Sequence, residues 1–332
     1  MIAFLLSLIS CEKMMVGEKE NNSYENNFQY MWEKYDSHYG LFLVNNIDWN
    51  AVYESHIQQA RDVNTDEQLF DVIASALSVL NDKHVNLITT DPDLADYNSG
   101  HNGPIPAQEN YLFETVRDYY LIEYKEETEN FGYGKLPDNI GYIRVSAHVD
   151  NLSDIKNAMD EALKNLVSTD KIIFDIRNHS GGSDNLSKYI AGRFASSKKL
   201  FMTSKKRNGP AHDDFEDMLE WYVEPEGDSQ YTKPVILLTT SHTVSAGETF
   251  TFAMRQNDNV VQMGETTSGV FSDVAPFQLP NGWLITVSVG DYRGANGLSY
   301  EGIGIEPDIY SINVKEDVLS GVDFTLELAM TY

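Results

Sequence analysis

Residues 233–255 read KPVILLTTSHTVSAGETFTFAMR, and their pattern decides the fold. Val235, Ile236, Leu237 and Leu238 form a short unbroken apolar run that ends in the polar Thr239 to Thr243, the pattern of a strand buried on both faces. Ser245, Ala246 and Gly247 are small, and Phe250, Phe252, Ala253 and Met254 then recur at helical spacing. The reading is strand, tight turn, helix, with Ser245 at the turn. A hydroxyl there sits beside unpaired backbone N–H groups and the positive end of the helix dipole, where an oxyanion formed by attack from Ser245 could be held. The same position also suits a serine that does nothing but cap the helix.

The 332 residues can bury one large core or two modest ones. With 24 Lys and Arg against 51 Asp and Glu, the formal charge is −27, which argues against nucleic acid and anionic membrane surfaces as partners. A single cysteine allows neither an internal disulfide nor a Cys-based zinc site. It follows MIAFLLSLIS, an uncharged apolar stretch too short to span a bilayer, and so fits a bacterial lipoprotein signal in which Cys11 is lipidated. The expected localisation is the cell envelope, with residues 11–27 a polar tether and the membrane met only through that anchor.

From Tyr24 to Asn81 apolar residues recur at three and four residue steps, with Thr65 and Gln68 as a capped start, so 28–83 is expected to be a helical cap. Residues 84–332 are expected to form an α/β core, loop-rich at 89–139 and carrying a surface insertion at 203–232. Within 89–139, Tyr111–Val116 and Tyr119–Tyr124 are candidate strands. Ile140–Val145 and Lys171–Ile176 are strands flanking a helix at Leu152–Leu166, and a further helix follows Gly181-Gly182, the alternation of an open, largely parallel sheet. Val260–Gly264 and Trp283–Val289 are further strands, and a terminal helix is expected from Asp317.

Three segments together, FDIRNHSGG, TVSAGETF and EGIGIEPD preceded by GETTSG, resemble the tail-specific, or C-terminal processing, serine protease family. With the cap helices and DKHV the resemblance covers residues 28 to 312. It implies a spiral α/β core like that of crotonase or ClpP, peptide-bond hydrolysis, polypeptide substrates and no cofactor. Common members use a lysine base after the GExT segment. Val270 stands there, and no lysine occurs from 246 to 314. The resemblance is therefore to the tricorn-core-like branch, which uses serine, histidine and glutamate, without the peptide-docking PDZ module. On that match Ser245 is the nucleophile, His84 in DKHV the histidine, and Glu301, 301 − 245 = 56 residues beyond the serine, the glutamate. The branch has a serine just before its histidine where this chain has Lys83, which is expected to alter how His84 titrates.

In the implied mechanism His84, ordinarily near pKa 6.5, takes the serine proton while Glu301 orients it. The N–H groups of Ala246 and of Gly181 or Gly182 receive the oxyanion. His179 and His242 are alternative bases, and Glu248 and Glu265 alternative acids. HExxH, GxSxG, GxGxxG and the P-loop pattern are absent, so neither a metal enzyme, a lipase-type hydrolase nor a nucleotide site is indicated. The competing reading is an envelope lipoprotein that binds peptides without turning them over.

Overall fold

The computed structural model describes residues 22–332, so the 1–10 stretch and Cys11 lie outside the described residues. The chain forms two compact units, and they do not divide it at residue 84. The first comprises residues up to Pro106 with Lys205–Met218 and Ser272–Asp291, and the second holds the remainder.

In the first unit the helices Tyr24–His38, Trp49–Asp62 and Asp66–Ser78 start at side-chain caps, from Ser23, Asp48 and Thr65 respectively. The tether expected through residue 27 thus ends earlier, and Asn27 is buried. Gln68 completes the start read from sequence, its backbone N–H donating to Thr65 Oγ1 at 3.2 Å while its side-chain Oε1 accepts from the Asn64 N–H at 2.8 Å. Phe28, Met31, Tyr35, Trp49, Leu69 and Leu77 share one core with Ile285 and Val287. Those last two belong to the strand Leu284–Ser288, which pairs antiparallel with both Asn86–Ile88 and Val274–Gln278. The expected helical cap is therefore a helix-on-sheet unit. Its strands come from segments some 200 residues apart in sequence, such as Asn86 and Thr286, whose pairing no local pattern announces.

The second unit is built on a seven-stranded sheet in the order Ile309–Tyr310, Val260–Gly264, Val235–Thr239, Lys171–Asp175, Ile140–Val145, Phe131–Leu136, Glu123–Glu126. The strands from Ile309–Tyr310 to Ile140–Val145 run parallel, and the last two are an antiparallel hairpin. Val235 and Leu237 enter the core on one face, with the Leu152–Leu166 helix residues Ile155, Met159 and Leu166. Ile236 and Leu238 enter the core on the other, with Leu326 and Ala329 of the terminal helix. This two-sided burial is why the run reads as continuous rather than alternating.

Three local readings are corrected. The two candidate strands between Tyr111 and Tyr124 are instead a helix, Phe113–Tyr119, and a strand, Glu123–Glu126. Their aromatic, β-branched composition suggested strand, but packing of Val116 into the core and a hydrogen bond from Thr115 Oγ1 to Val318 O at 2.8 Å favour the helix. The 203–232 segment is no simple surface insertion: Leu219–Val223 pairs antiparallel with Lys199–Lys206, and Ser204, Val223 and Tyr231 are buried. The C-terminal helix is two, Lys315–Leu319 and Phe324–Thr331.

Candidate active site

The turn that carries Ser245 is held to the neighbouring strand end before the helix begins. Thr240 Oγ1 donates to Arg177 O at 2.5 Å, Thr243 Oγ1 to Ile176 O at 2.8 Å, and the Val244 N–H to His179 O at 3.0 Å. Ser245 then takes φ 55° and ψ −118°, and the helix Ala246–Met254 follows at once. Ordinary N-caps sit in the β region. A non-glycine residue in this backbone region costs on the order of 1–3 kcal/mol, which capping alone does not require. The strain leaves Ser245 half-buried at the first turn of a buried helix.

The glycine pair lies alongside. Gly181 has φ 102°, and a Cβ built on it would stand 3.0 Å from Ser245 Cβ and 3.5 Å from Oγ. Gly182 has φ 127°, and a Cβ there would be 2.3 Å from the carbonyl oxygen of His148. Only glycine fits either position. The Gly181 N–H donates to His179 Nδ1 at 3.1 Å, so of the two sequence candidates it is the one already engaged. The N–H groups of Gly182 and Ala246 donate to no other described residue.

His179 is fully buried, edge-to-face with His148 at 4.3 Å. Burial pushes its imidazole down to about 3, and its Nδ1 is an acceptor, which puts the proton of the neutral ring on Nε2. It supports the glycine segment through that hydrogen bond. His148 is bound through Nδ1 to Ser187 Oγ at 2.8 Å, and that hydroxyl donates to Ala246 O at 2.7 Å. The two buried histidines thus brace the glycine pair and the first peptide of the serine helix, a role no sequence spacing revealed.

The carboxylates separate by environment. Glu301 is buried on the turn after Tyr300, and its Oε2 accepts from the Phe271 N–H at 3.0 Å. Glu248, in the first turn of the serine helix, is fully buried. Burial raises it to about 7, opposed by hydrogen bonds from Thr267, Gly269, Val270 and Ser245. The three backbone N–H groups can only donate, and the Thr267 hydroxyl, which accepts from the Ile305 N–H at 2.8 Å, donates to Oε1 when Glu248 is ionised. Four donors on an acceptor-only group favour the carboxylate form. Glu265 is raised by burial and accepts from Asn110 Nδ2 at 2.6 Å, while its backbone bonds Thr239, a structural setting at the sheet end. Val270 is buried.

His84 lies in the first unit, and Ser245, Glu301 and the glycine pair in the second. Among the described residues, the half-buried His84 imidazole has no hydrogen-bond partner on Nδ1. Neighbouring Asp82 does not supply one, since its Oδ1 accepts the His84 backbone N–H at 2.7 Å and its Oδ2 the Ser288 hydroxyl at 2.7 Å. Burial lowers the His84 pKa, while the charges of Asp82 and Asp273 pull it upward. His242 sits on the loop before Ser245, its N–H on Thr240 Oγ1 at 3.1 Å.

Comparison with known proteins shows the family and the fold. The model of Peptidase family S41 matches residues 139–311, and that of the Tricorn protease C1 domain residues 20–78. The Carboxy-terminal processing protease CtpA of Bacillus subtilis is 24% identical over 179 residues, covering 53% of this chain and 36% of that protein. The chain thus spans well under half the length of this curated relative. A presumed peptidase from Parabacteroides merdae has a crystal structure that is 28% identical, with a TM-score of 0.81 over 94% of this chain and 96% of that one. Mature CPAF complexed with lactacystin shares the fold, with 11% identity and a TM-score of 0.69 over 90% and 95% of the two chains.

Proposed function

We propose that this chain, which belongs to peptidase family S41, is a serine peptidase that hydrolyses peptide bonds of polypeptides, with Ser245 as nucleophile, His84 as general base and Glu301 as the carboxylate that orients the histidine. The observation that carries the reading is Ser245 itself, held at φ 55° on a helix N-terminus beside two uncommitted backbone donors, Gly182 and Ala246. Attack on a scissile carbonyl from that position puts the developing oxyanion between those donors, each worth on the order of 3 kcal/mol in the barrier. The half-buried His84, held below its ordinary pKa, is neutral at pH 7, the form a general base needs. Its unpartnered Nδ1 calls for a carboxylate to fix the ring, and Glu301 is the group assigned to it. The buried Val270 leaves no lysine base in the position used by the commoner members, which supports the histidine-based arrangement. Anchoring to the envelope through a lipidated Cys11 belongs to the same proposal and rests on the sequence of residues 1–11 alone.

The test is hydrolysis of casein by the purified protein beside Ser245→Ala, His84→Ala and Glu301→Gln. Loss of cleavage in the first two and a marked fall in the third is expected. Activity that survives in His84→Ala removes the histidine from the mechanism. A folded wild type that binds unstructured peptides with no turnover favours the peptide-binding lipoprotein instead.

A further inference from the structure

Glu248 is a fully buried ionisable group that the proposed mechanism leaves unused. Its Oε2 accepts the N–H of Ser245 at 3.3 Å and that of Val270 at 2.7 Å. Its Oε1 accepts the Thr267 hydroxyl at 2.6 Å and the Gly269 N–H at 2.7 Å. The next N–H along the chain, that of Phe271, donates to Glu301 Oε2 at 3.0 Å. Consecutive peptides of one loop are therefore divided between two carboxylates. The same loop also holds the turn that carries Glu301, through Gly302 N–H to Gly269 O at 2.8 Å and Ile305 N–H to Thr267 Oγ1 at 2.8 Å.

We infer that Glu248 is a positioning residue: its single carboxylate fixes the strained peptide of Ser245 and, through residues 267–271, the aim of Glu301. The inference rests on the reading of Ser245 and Glu301 given above. A plain structural carboxylate would need only some of these contacts. The geometry here ties the nucleophile's own N–H to a loop one peptide away from the orienting acid, so both ends of the proposed triad that lie in this unit share one support. Charge matters as much as shape, because every contact is a donor aimed at the carboxylate. An isosteric amide must turn its NH2 toward at least one N–H group.

The experiment compares wild type with Glu248→Gln and Glu248→Asp on a fluorogenic peptide, with active sites counted by titration with a fluorophosphonate. The expected result for Glu248→Gln is a fall in kcat per titrated site of about 100-fold with KM within about twofold, the loss that a displacement of about 1 Å produces in a catalytic group. Glu248→Asp, which keeps the charge on a shorter stem, is expected to recover part of that loss. Should Glu248→Gln not fold, Thr267→Val carries the test, with kcat per site falling about tenfold as one arm of the clamp is removed. Unchanged kcat per titrated site in the folded variants, whatever the yield, overturns the inference and leaves the peptidase reading intact. A wild type no more active than Ser245→Ala overturns both.

Discussion

Replacing Gly182 by alanine places a methyl group 2.3 Å from the carbonyl oxygen of His148 and asks an L-residue to hold φ 127°. The obstacle is backbone, on a segment whose neighbours bond His148 on both sides: the His148 N–H to Gly181 O and the Ser183 N–H to His148 O, each at 2.8 Å. Rotation of a flexible side chain cannot relieve it, so the glycine peptide itself must move. The strain is on the order of 1–3 kcal/mol of stability. Moving the Gly182 N–H off the oxyanion costs a further 10²–10³ in kcat, on the order of 3–4 kcal/mol in the barrier. The assay is steady-state cleavage of a fluorogenic peptide, with thermal unfolding as the check on folding. The account predicts a variant that melts a few degrees lower, binds substrate with KM little changed and loses at least about 100-fold in kcat. A folded Gly182→Ala with kcat within about threefold of wild type would refute Gly182 as an oxyanion donor.

Other consequences follow from the titrating groups and the buried ion pair. Because burial lowers His84, the acid limb of kcat/KM is expected below pH 6.5, and Asp273→Asn, which removes a charge that raises the histidine, should shift the limb lower still; a limb above pH 7 contradicts this. His179 and His148 are buried neutral with folded pKa values below the unfolded 6.5, so the unfolded chain binds more protons and their contribution is lost as pH falls from 6.5 toward 3. The unfolding free energy from urea titration should therefore fall between pH 7.5 and pH 5, by up to about 1.4 kcal/mol per pH unit for each histidine, and a flat profile would contradict the burial argument. The buried Arg177 guanidinium bonds Asp175 at 2.7 Å and Asp323 at 2.8 Å, so Arg177→Met strands two carboxylates and is expected to cost about 3–5 kcal/mol in denaturant unfolding.

What the sequence made legible was local. The apolar run at Val235 to Leu238, the helix Leu152–Leu166 and the strands Ile140–Val145 and Val260–Gly264 all match the residues read from periodicity. Each is fixed by burial on two faces or along one stripe, which leaves its mark in consecutive residues. The placing of Ser245 at a strand–helix turn came from the same signal. What stayed hidden was non-local. The pairing of Asn86–Ile88 with Leu284–Ser288 put the 272–291 segment with the helices rather than with the α/β sheet. The capture of the Gly181 N–H by His179, and the four donors around Glu248, depend on chain segments that meet only after folding. A glutamate three residues after a candidate nucleophile reads equally well as a helix cap partner or a competing acid. Its distances show that it does more than cap, bonding Ser245 N–H and the 267–270 loop together.

The central claim, that Ser245 is a nucleophile activated by His84, is tested most directly by locating a covalent adduct. The folded protein would be treated with a fluorophosphonate at pH 7.5 and the modified peptide identified by mass spectrometry, alongside Ser245→Ala and His84→Ala. One adduct on Ser245 is expected, with none in Ser245→Ala and labelling slowed by at least about 100-fold in His84→Ala. An adduct on another residue, or labelling of Ser245 at an undiminished rate without His84, would contradict it.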